Sequence, residues 1–348
     1  MLFRSVVSGV ETRSTVKFTF DNIIKDLEEA KADLFNAGAK TLEVNKPWRV
    51  TVPATESLLA RVYLYLGDYK KAFDNAKSAY NSNKFLYDLN NQTLFAQRNL
   101  AAQNETFNGV TYSVIPTFPA IASDQNANDP TSNSNLWYKE SYFRFVCQAS
   151  AQTRLIPTHE LYDSYETTDL RKKVYYDNNG NINATFLRPR FKDQLISKNY
   201  LKHATSTTTS GYILGVTVPE IMLIMAECRA RGAGDGEDGS IILKELRKSR
   251  FPVNYVDNIT GNLESVKAER RRELAMVMRW FDLKRYNALD NANITITKRG
   301  RLDPLDFNSE VFTFKLAPNA PTYALPIIQR EVEFLKWQQN EYGGISRQ

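Results

Sequence analysis

Two glutamates in residues 269–286 come closest, by type and spacing, to catalytic chemistry. The stretch reads ERRRELAMVMRWFDLKRY. Glu269 and Glu273 lie one helical turn apart, which places their Cβ atoms roughly 6 Å from each other, and glycoside hydrolases act through two carboxyl groups at a comparable separation. Each glutamate is flanked by arginines, however. These would hold both carboxylates ionised, whereas a general acid needs a raised pKa. The pattern therefore favours a structural ion network over a catalytic pair.

The same stretch predicts a buried helix with paired charges. On a helical wheel one apolar stripe collects Val266, Leu274, Val277, Met278 and Phe281, with Trp280 beside it. We expect Leu274 and Phe281 to lie in the core. We also expect the arginines of 270–272 to be paired within the scaffold, because Glu269 reaches Arg272 at i,i+3. A helix built for nucleic acid would instead leave its arginine face unpaired.

Metal ligands and nucleophiles are sparse. His159 and His203 are the two histidines, which is too few for a multi-histidine metal centre and poor material for a Ser-His-Asp triad. Cys147 and Cys228 are far apart and form no C-x-x-C pair, so they indicate neither a zinc site nor a disulfide framework. We expect Cys228, within the apolar stretch EIMLIMAECRA, to be a buried thiol. The sequence therefore predicts neither a metal nor a cofactor.

Composition indicates a globular protein with a sizeable core. Of the 348 residues, 42% are hydrophobic and 12% aromatic, and 45 basic residues stand against 39 acidic ones for a formal net charge of +6. A nucleic-acid-binding protein usually gathers such an excess into one patch, but the basic runs at 171–173 and 270–272 are bracketed by acids. No stretch reaches the ~18 apolar residues that a membrane span requires. We therefore expect no nucleic-acid partner and no membrane-spanning segment.

Helical periodicity predicts a scaffold at both ends of the chain. Apolar residues recur at helical spacing over 20–35. Residues 53–83 read as two antiparallel helices joined at Gly67 and Asp68, with alanines that let them approach closely, as in a tetratricopeptide repeat. Further helical patterns cover 218–234, 238–251 and 263–289.

Regular periodicity fades between these helices. Residues 84–216 are rich in Asn, Thr, Ser, Pro and aromatic residues, and we predict long ordered loops with a few short strands there, interrupted by a helix near 156–176. The fold is thus predicted to be mainly α, a tetratricopeptide-like helical-repeat scaffold with a large loop-rich insertion that carries short strands.

Several stretches together resemble the SusD/RagB family. The run ERRRELAMVMRWFDLKRY is close to the family pattern ERRxELAFEGxRWFDLxRW, with Val277 and Met278 in place of Glu and Gly. Four other matches follow the expected order: LLARVYLYLGDYKKAFDNA, IPTHELYDSYETTDLRKKVYY, VPEIMLIMAECRARGA and YALPIIQREVEFLKWQQNEYGG. The resemblance implies a single SusD-like domain over 1–348. Its helical scaffold would comprise 20–83 and 217–348, and its ligand-binding region 84–216.

The resemblance also implies a function. SusD-like proteins are surface-exposed outer-membrane lipoproteins of Bacteroidetes-type bacteria that bind glycans or peptides and lie over a TonB-dependent, SusC-like transporter; they are not enzymes. By this resemblance the chain captures oligosaccharides and delivers them to such a transporter. Family members begin with a signal, an acylated cysteine and further helices. We therefore expect this sequence to be N-terminally truncated. Its contact with the membrane would be made only through an N-terminal lipid that this sequence lacks. The alternatives are a helical-repeat scaffold for protein–protein interaction and a glycoside hydrolase.

Aromatic and amide side chains in the loop-rich region are the candidate ligand-binding residues. Trp137 and Tyr138 follow the polar stretch DPTSNSN, which needs no tryptophan for its own folding. Aromatic rings stack on the C–H faces of sugars while amides and hydroxyls bond the sugar hydroxyls, so we assign Asn135 and Tyr112 to the same site. The alternative to ligand binding is that Trp137 lies on a loop but packs in the hydrophobic core.

Overall fold

The structure is a computed structural model. It describes residues 14–42, 49–91, 96–99, 103–107, 110–114, 117–120, 139–143, 146–149, 158–172, 176–177, 196–197, 204–206, 209–213, 215–275, 278–301, 311–324, 327–335, 339–340 and 345–347. The chain divides into two compact units: a large unit, Asp26–Arg279, and a small unit, Met1–Lys25 with Trp280–Gln348.

The helix pair predicted near the N-terminus is present. Helix α1 covers Val16–Asn36, and α2 (Val52–Leu66) and α3 (Tyr69–Ser82) form the hairpin. Gly67 ends α2 with φ of 78°, a left-handed conformation that glycine adopts without strain. The side chain of Asp68 then accepts a hydrogen bond from the backbone N–H of Lys71 and so caps α3. Alanines from both helices are fully buried where the pair meets: Ala54, Ala60, Ala72 and Ala76.

A second group of helices completes the core of the large unit. Helix α4 is the short segment His159–Asp163, and α5 (Val218–Ala230), α6 (Gly239–Lys248) and α7 (Leu263–Glu273) follow. Every residue of α5 from Val218 to Cys228 is buried. A helix that is buried on all sides must have neighbours around it, and α5 packs against α2, α3, α6 and α7. The prediction of a mainly helical fold is confirmed.

Short antiparallel strands lie between α3 and α5. They are β1 (Ala96–Asn99), β2 (Gln103–Phe107), β3 (Val110–Val114), β4 (Thr117–Ala120), β5 (Val146–Ala149), β6 (Tyr176–Asp177), β7 (Ile196–Ser197), β8 (Ala204–Ser206) and β9 (Thr209–Ile213). The described pairings join β1 with β4, β2 with β3, β6 with β7, and β5, β9 and β8 in that order. Of the helix predicted over 156–176, the described residues show α4, turns within 164–170 and helical geometry again at 171–172.

The small unit contains helix α8 (Arg279–Leu289), strands β10 (Ile296–Arg301) and β11 (Val311–Leu316), helix α9 (Gln329–Leu335) and strand β12 (Ile345–Arg347). The three strands form one antiparallel sheet with β11 in the centre. Within this unit Trp280 stacks on Tyr323, with ring centroids 4.8 Å apart.

The prediction of one continuous helix over 263–289 is wrong. Helix α7 ends at Glu273 and α8 begins at Arg279, because the backbone at Leu274 leaves helical geometry with φ of −100° and ψ of 25°. A wheel drawn through this break assigns residues beyond it to the wrong face. Leu274 is buried, as predicted, whereas Phe281 is 48% exposed and does not lie in the core.

Candidate functional site

The two glutamates with catalytic spacing belong to a buried ion network in the large unit. The buried ion network consists of charged residues that are linked to one another by ion pairs: Glu140, Asp169, Arg171, Arg247, Arg250, Glu269 and Glu273. All seven are buried. Buried charges are retained in proteins when they are paired and hydrogen-bonded, and the contacts below meet that condition.

Both glutamates of helix α7 are surrounded by guanidinium groups. Glu273 accepts hydrogen bonds from Arg250 Nη2 at 2.9 Å and from Arg171 Nη1 at 3.0 Å. Glu269 lies 2.6 Å from Arg171 Nη1, 2.9 Å from Arg247 Nη1 and 2.7 Å from Arg272 Nη2. Arg171 therefore connects the two carboxylates.

The electrostatics of Glu269 are those of a structural anion. Burial by itself would raise the pKa of Glu269, but the positive charges of Arg171, Arg272 and Arg247 outweigh burial and lower this pKa to about 2. A general acid at neutral pH needs the opposite shift, since it must hold its proton until the reaction. Glu269 therefore stabilises the arginines around it and is unsuited to donate a proton.

The prediction that the arginines of 270–272 are paired is confirmed. Arg271 Nη1 lies 2.7 Å from Glu160, Arg272 Nη2 lies 2.7 Å from Glu269, and Arg270 Nη2 lies 3.8 Å from Glu220. The basic run consequently points into the large unit and does not present an arginine face to an anionic partner.

The network also fixes the segment that follows the predicted ligand-binding residues. We call residues 139–143 the anchored segment. Its Glu140 accepts hydrogen bonds from the backbone N–H of Tyr87 at 2.7 Å and from Arg250 Nη2 at 3.2 Å. Because Arg250 also binds Glu273, the anchored segment is tied through two side chains to helix α7.

Asn83 and Tyr142 complete this attachment. Asn83 Nδ2 donates to the carbonyl of Lys139 at 2.9 Å, and Tyr142 Oη donates to the carbonyl of Asn83 at 3.0 Å. The backbone N–H of Tyr142 donates to the carbonyl of Val216, directly before helix α5. Asn83 follows α3, so the anchored segment is held between the ends of two scaffold helices.

The structure places the predicted site residues only in part. Asn135, Trp137 and Tyr138 lie outside the described residues. The backbone of Tyr112 lies in strand β3, opposite Glu105 of β2.

Phe85 and Lys139 were missed by sequence reasoning. Phe85 is 41% exposed, its ring meets the Tyr87 ring edge to face at 4.9 Å, and the Lys139 ammonium lies 5.8 Å from its centroid. In the sequence, only their location in the loop-rich region could have indicated them as candidate ligand-binding residues.

Within the described residues, no three His, Cys, Asp or Glu side chains are grouped closely enough to hold a metal ion. No helix among the described ranges is both long enough and apolar enough to cross a membrane. Cys228 is buried, as predicted.

Comparison with known proteins shows the fold and finds a family match over part of the chain. Residues 195–336 match the SusD family model. A SusD superfamily protein from Bacteroides vulgatus is 20% identical, with a TM-score of 0.61 over 96% of this chain and 67% of its own. A SusD superfamily protein from Bacteroides thetaiotaomicron is 19% identical, with a TM-score of 0.61 over 95% of this chain and 67% of its own. Surface glycan-binding protein A from the same species is 17% identical, with a TM-score of 0.57 over 94% and 71%.

A comparison with curated protein sequences found no match. The solved structures share the fold, and the family match covers the end of the loop-rich region, from residue 195, together with helices α5 to α9. Residues 195–336 are thus similar to the SusD family, and the chain shares the fold of the SusD-like structures. SusD family proteins are non-catalytic, carbohydrate-binding proteins.

Proposed function

We propose that this chain captures oligosaccharides with its loop-rich region, residues 84–216, and passes them to a TonB-dependent, SusC-like transporter. The observation that carries the proposal is the match of residues 195–336 to the SusD family model, a family of glycan-binding proteins, together with the SusD-like fold. The single-domain organisation expected from the sequence, with 20–83 and 217–348 as scaffold, is part of the same proposal.

The ligand-binding surface is proposed to include Trp137, Tyr138, Asn135 and Tyr112. Two of these are neighbours in sequence and precede the anchored segment. The attachment of Lys139 and Glu140 to Asn83, Tyr87 and Arg250 supports this assignment, because a rigid support lowers the entropy that a binding loop loses when it takes up its ligand.

The place of action is proposed to be the cell surface, with the gene product held at the outer membrane by an N-terminal lipid. SusD family proteins are typically outer-membrane lipoproteins. Detergent extraction of outer membranes, followed by affinity purification of the full gene product, tests the partnership: a SusC-like barrel should co-purify. Recovery with soluble proteins alone would contradict it and favour a protein–protein scaffold.

Trp137→Ala tests the proposed site directly. A glycan array first selects the oligosaccharide that the 348-residue chain binds, and calorimetry then compares the variant with the wild type. Each stacked ring buries apolar area worth roughly 1–2 kcal/mol, so affinity should fall at least about tenfold while the melting temperature stays within a few degrees. Reducing-sugar assays on the same glycans should show no release of product.

Trp280→Ala is the matched control, because Trp280 is a partly exposed tryptophan that stacks on Tyr323 within the small unit. Its loss should leave glycan affinity unchanged. Unchanged affinity of Trp137→Ala, or unfolding of that variant, would remove Trp137 from the site. A chain that binds no glycan on the array would sink the proposed function itself.

A further inference from the structure

An exposed phenylalanine and two lysines form a second candidate feature within the loop-rich region. We call Lys84, Phe85 and Lys139 the cationic corner. The ring of Phe85 is 41% exposed and rests edge to face on the ring of Tyr87, which is buried. An aromatic ring that is held on one side and open to solvent is a preformed surface for an apolar face of a ligand.

The backbone around the cationic corner is held by one side chain. Asn83 Oδ1 accepts a hydrogen bond from the backbone N–H of Phe85 at 3.0 Å, and Asn83 Nδ2 donates to the carbonyl of Lys139 at 2.9 Å. A single buried amide thus joins two chain segments that are more than fifty residues apart in sequence. These two hydrogen bonds set the spacing between the backbone of Phe85 and the backbone of Lys139 before any ligand arrives.

One ammonium group lies beside the ring of Phe85. The Lys139 ammonium lies 5.8 Å from the Phe85 centroid. The exposed Lys84 directly precedes Phe85, and its ammonium lies 5.4 Å from the Tyr80 centroid. The carboxylate of Glu140, which follows Lys139, is turned inward to Tyr87 and Arg250 and is buried. The acidic neighbour in sequence is thus directed away from the solvent that Phe85 and Lys84 face.

We propose that the cationic corner is a subsite for an acidic sugar residue, one that carries a carboxylate or a sulfate. The sugar ring lies on Phe85, and its anionic group pairs with the ammonium of Lys139. This inference rests on the proposed glycan-binding function and adds the class of glycan. Hydrogen bonds to a charged partner contribute more than neutral ones, so the corner discriminates acidic from neutral sugars.

The test uses acidic oligosaccharides and their neutral counterparts with the same backbone. The array carries oligogalacturonide, alginate and hyaluronan fragments with their carboxyl-reduced forms, a sulfated galactan with its desulfated form, and neutral glucans and mannans. The intact chain should bind an acidic member at least about tenfold more tightly than its neutral counterpart, the ratio expected for one charge-assisted hydrogen bond. The carboxylate and sulfate pairs distinguish the two sources of charge.

Variants of the cationic corner separate charge from stacking. Lys139→Ala should weaken acidic binding about tenfold and leave neutral binding unchanged, and Lys139→Arg should restore most of the acidic affinity. Because Asn83 binds the backbone carbonyl of Lys139, neither change removes that hydrogen bond. Phe85→Ala should weaken acidic and neutral members alike.

Lys40→Ala is the matched control. Its ammonium also lies over an exposed phenylalanine, 3.8 Å from the centroid of Phe35, which is 52% exposed. Its loss should change neither acidic nor neutral binding. Equal affinity of the wild type for acidic and neutral members, or full acidic affinity in Lys139→Ala, would overturn the subsite while leaving the glycan-binding function intact. Absence of binding to every member would overturn both.

Discussion

Burial decides how much a charged pair contributes to the stability of this chain. Arg171, Arg250 and Arg270 are fully buried, and the guanidinium of Arg250 alone bonds Glu273, Glu140 and the carbonyl of Tyr87. A planar fork with several donors can satisfy such a set, which one lysine ammonium cannot. Surface pairs such as Lys70 with Asp74 have water as an alternative partner and contribute little.

Arg250→Ala is therefore expected to destabilise the chain strongly. The substitution leaves Glu140 and Glu273 with less positive charge around them in a buried site, and loss of one partner of a buried pair costs about 3–5 kcal/mol of unfolding free energy. Urea unfolding followed by circular dichroism measures the loss. Lys70→Ala, which removes an exposed charge from helix α3, should match the wild type within error. An Arg250→Ala variant as stable as Lys70→Ala would show that the network is not needed for stability.

Helix positions could be predicted where neighbouring residues in the sequence determine them. The break between α7 and α8 could not be predicted in this way. The hairpin of α2 and α3 follows from periodicity and from Gly67, whose left-handed conformation ends α2. Residues 274–278, in contrast, contain Leu, Ala and Met, which favour helix. The chain leaves helical geometry there while Leu274, Ala275 and Met278 are buried. Tertiary packing outweighs propensity at such a point, and a single sequence carries no local sign of it.

Because of the break, we expect two residues of helix α8 to differ in their contribution to stability. Leu283 is 5% exposed and Phe281 is 48% exposed. Truncating a buried leucine removes packed atoms and leaves a cavity, so Leu283→Ala should cost about 2–5 kcal/mol of unfolding free energy. Phe281→Ala should cost about 1 kcal/mol or less, because surface changes have small effects. Thermal and urea unfolding of both variants provides the comparison, and a larger loss for Phe281→Ala would restore the continuous-helix interpretation.

At the scale of the whole molecule, the class of fold could be predicted from the sequence. The geometry of the proposed ligand-binding region could not. Composition separated the loop-rich region from the scaffold. The contacts that hold Phe85 beside Lys139 join residues 83–87 with residues 139–142 through Asn83 and Glu140. Such long-range pairs leave no periodic trace in either segment, so the cationic corner could be recognised only once the chain was folded.

The buried ion network also determines how the whole molecule responds to acid. Although burial opposes the shift, Arg171, Arg272 and Arg247 lower the pKa of Glu269 from 4.5 to about 2. Below about pH 4.5 the unfolded chain takes up a proton at this position that the folded chain does not. The contribution of Glu269 is therefore fully present above pH 4.5 and is lost as the pH falls toward 2.

Unfolding free energy should consequently decline with a measurable slope as the pH falls from about 4.5 to 2. Glu269→Gln removes the titrating group, so its slope over this range should be shallower than that of the wild type even though the variant is less stable at neutral pH. Glu166→Gln offers a milder second variant. Burial likewise opposes the shift at Glu166, but hydrogen bonds from Tyr255 and Arg247 lower its pKa, and its side chain is 46% exposed. Urea unfolding at successive pH values gives the slopes. Identical slopes for the wild type and both variants would show that other carboxyl groups control acid unfolding.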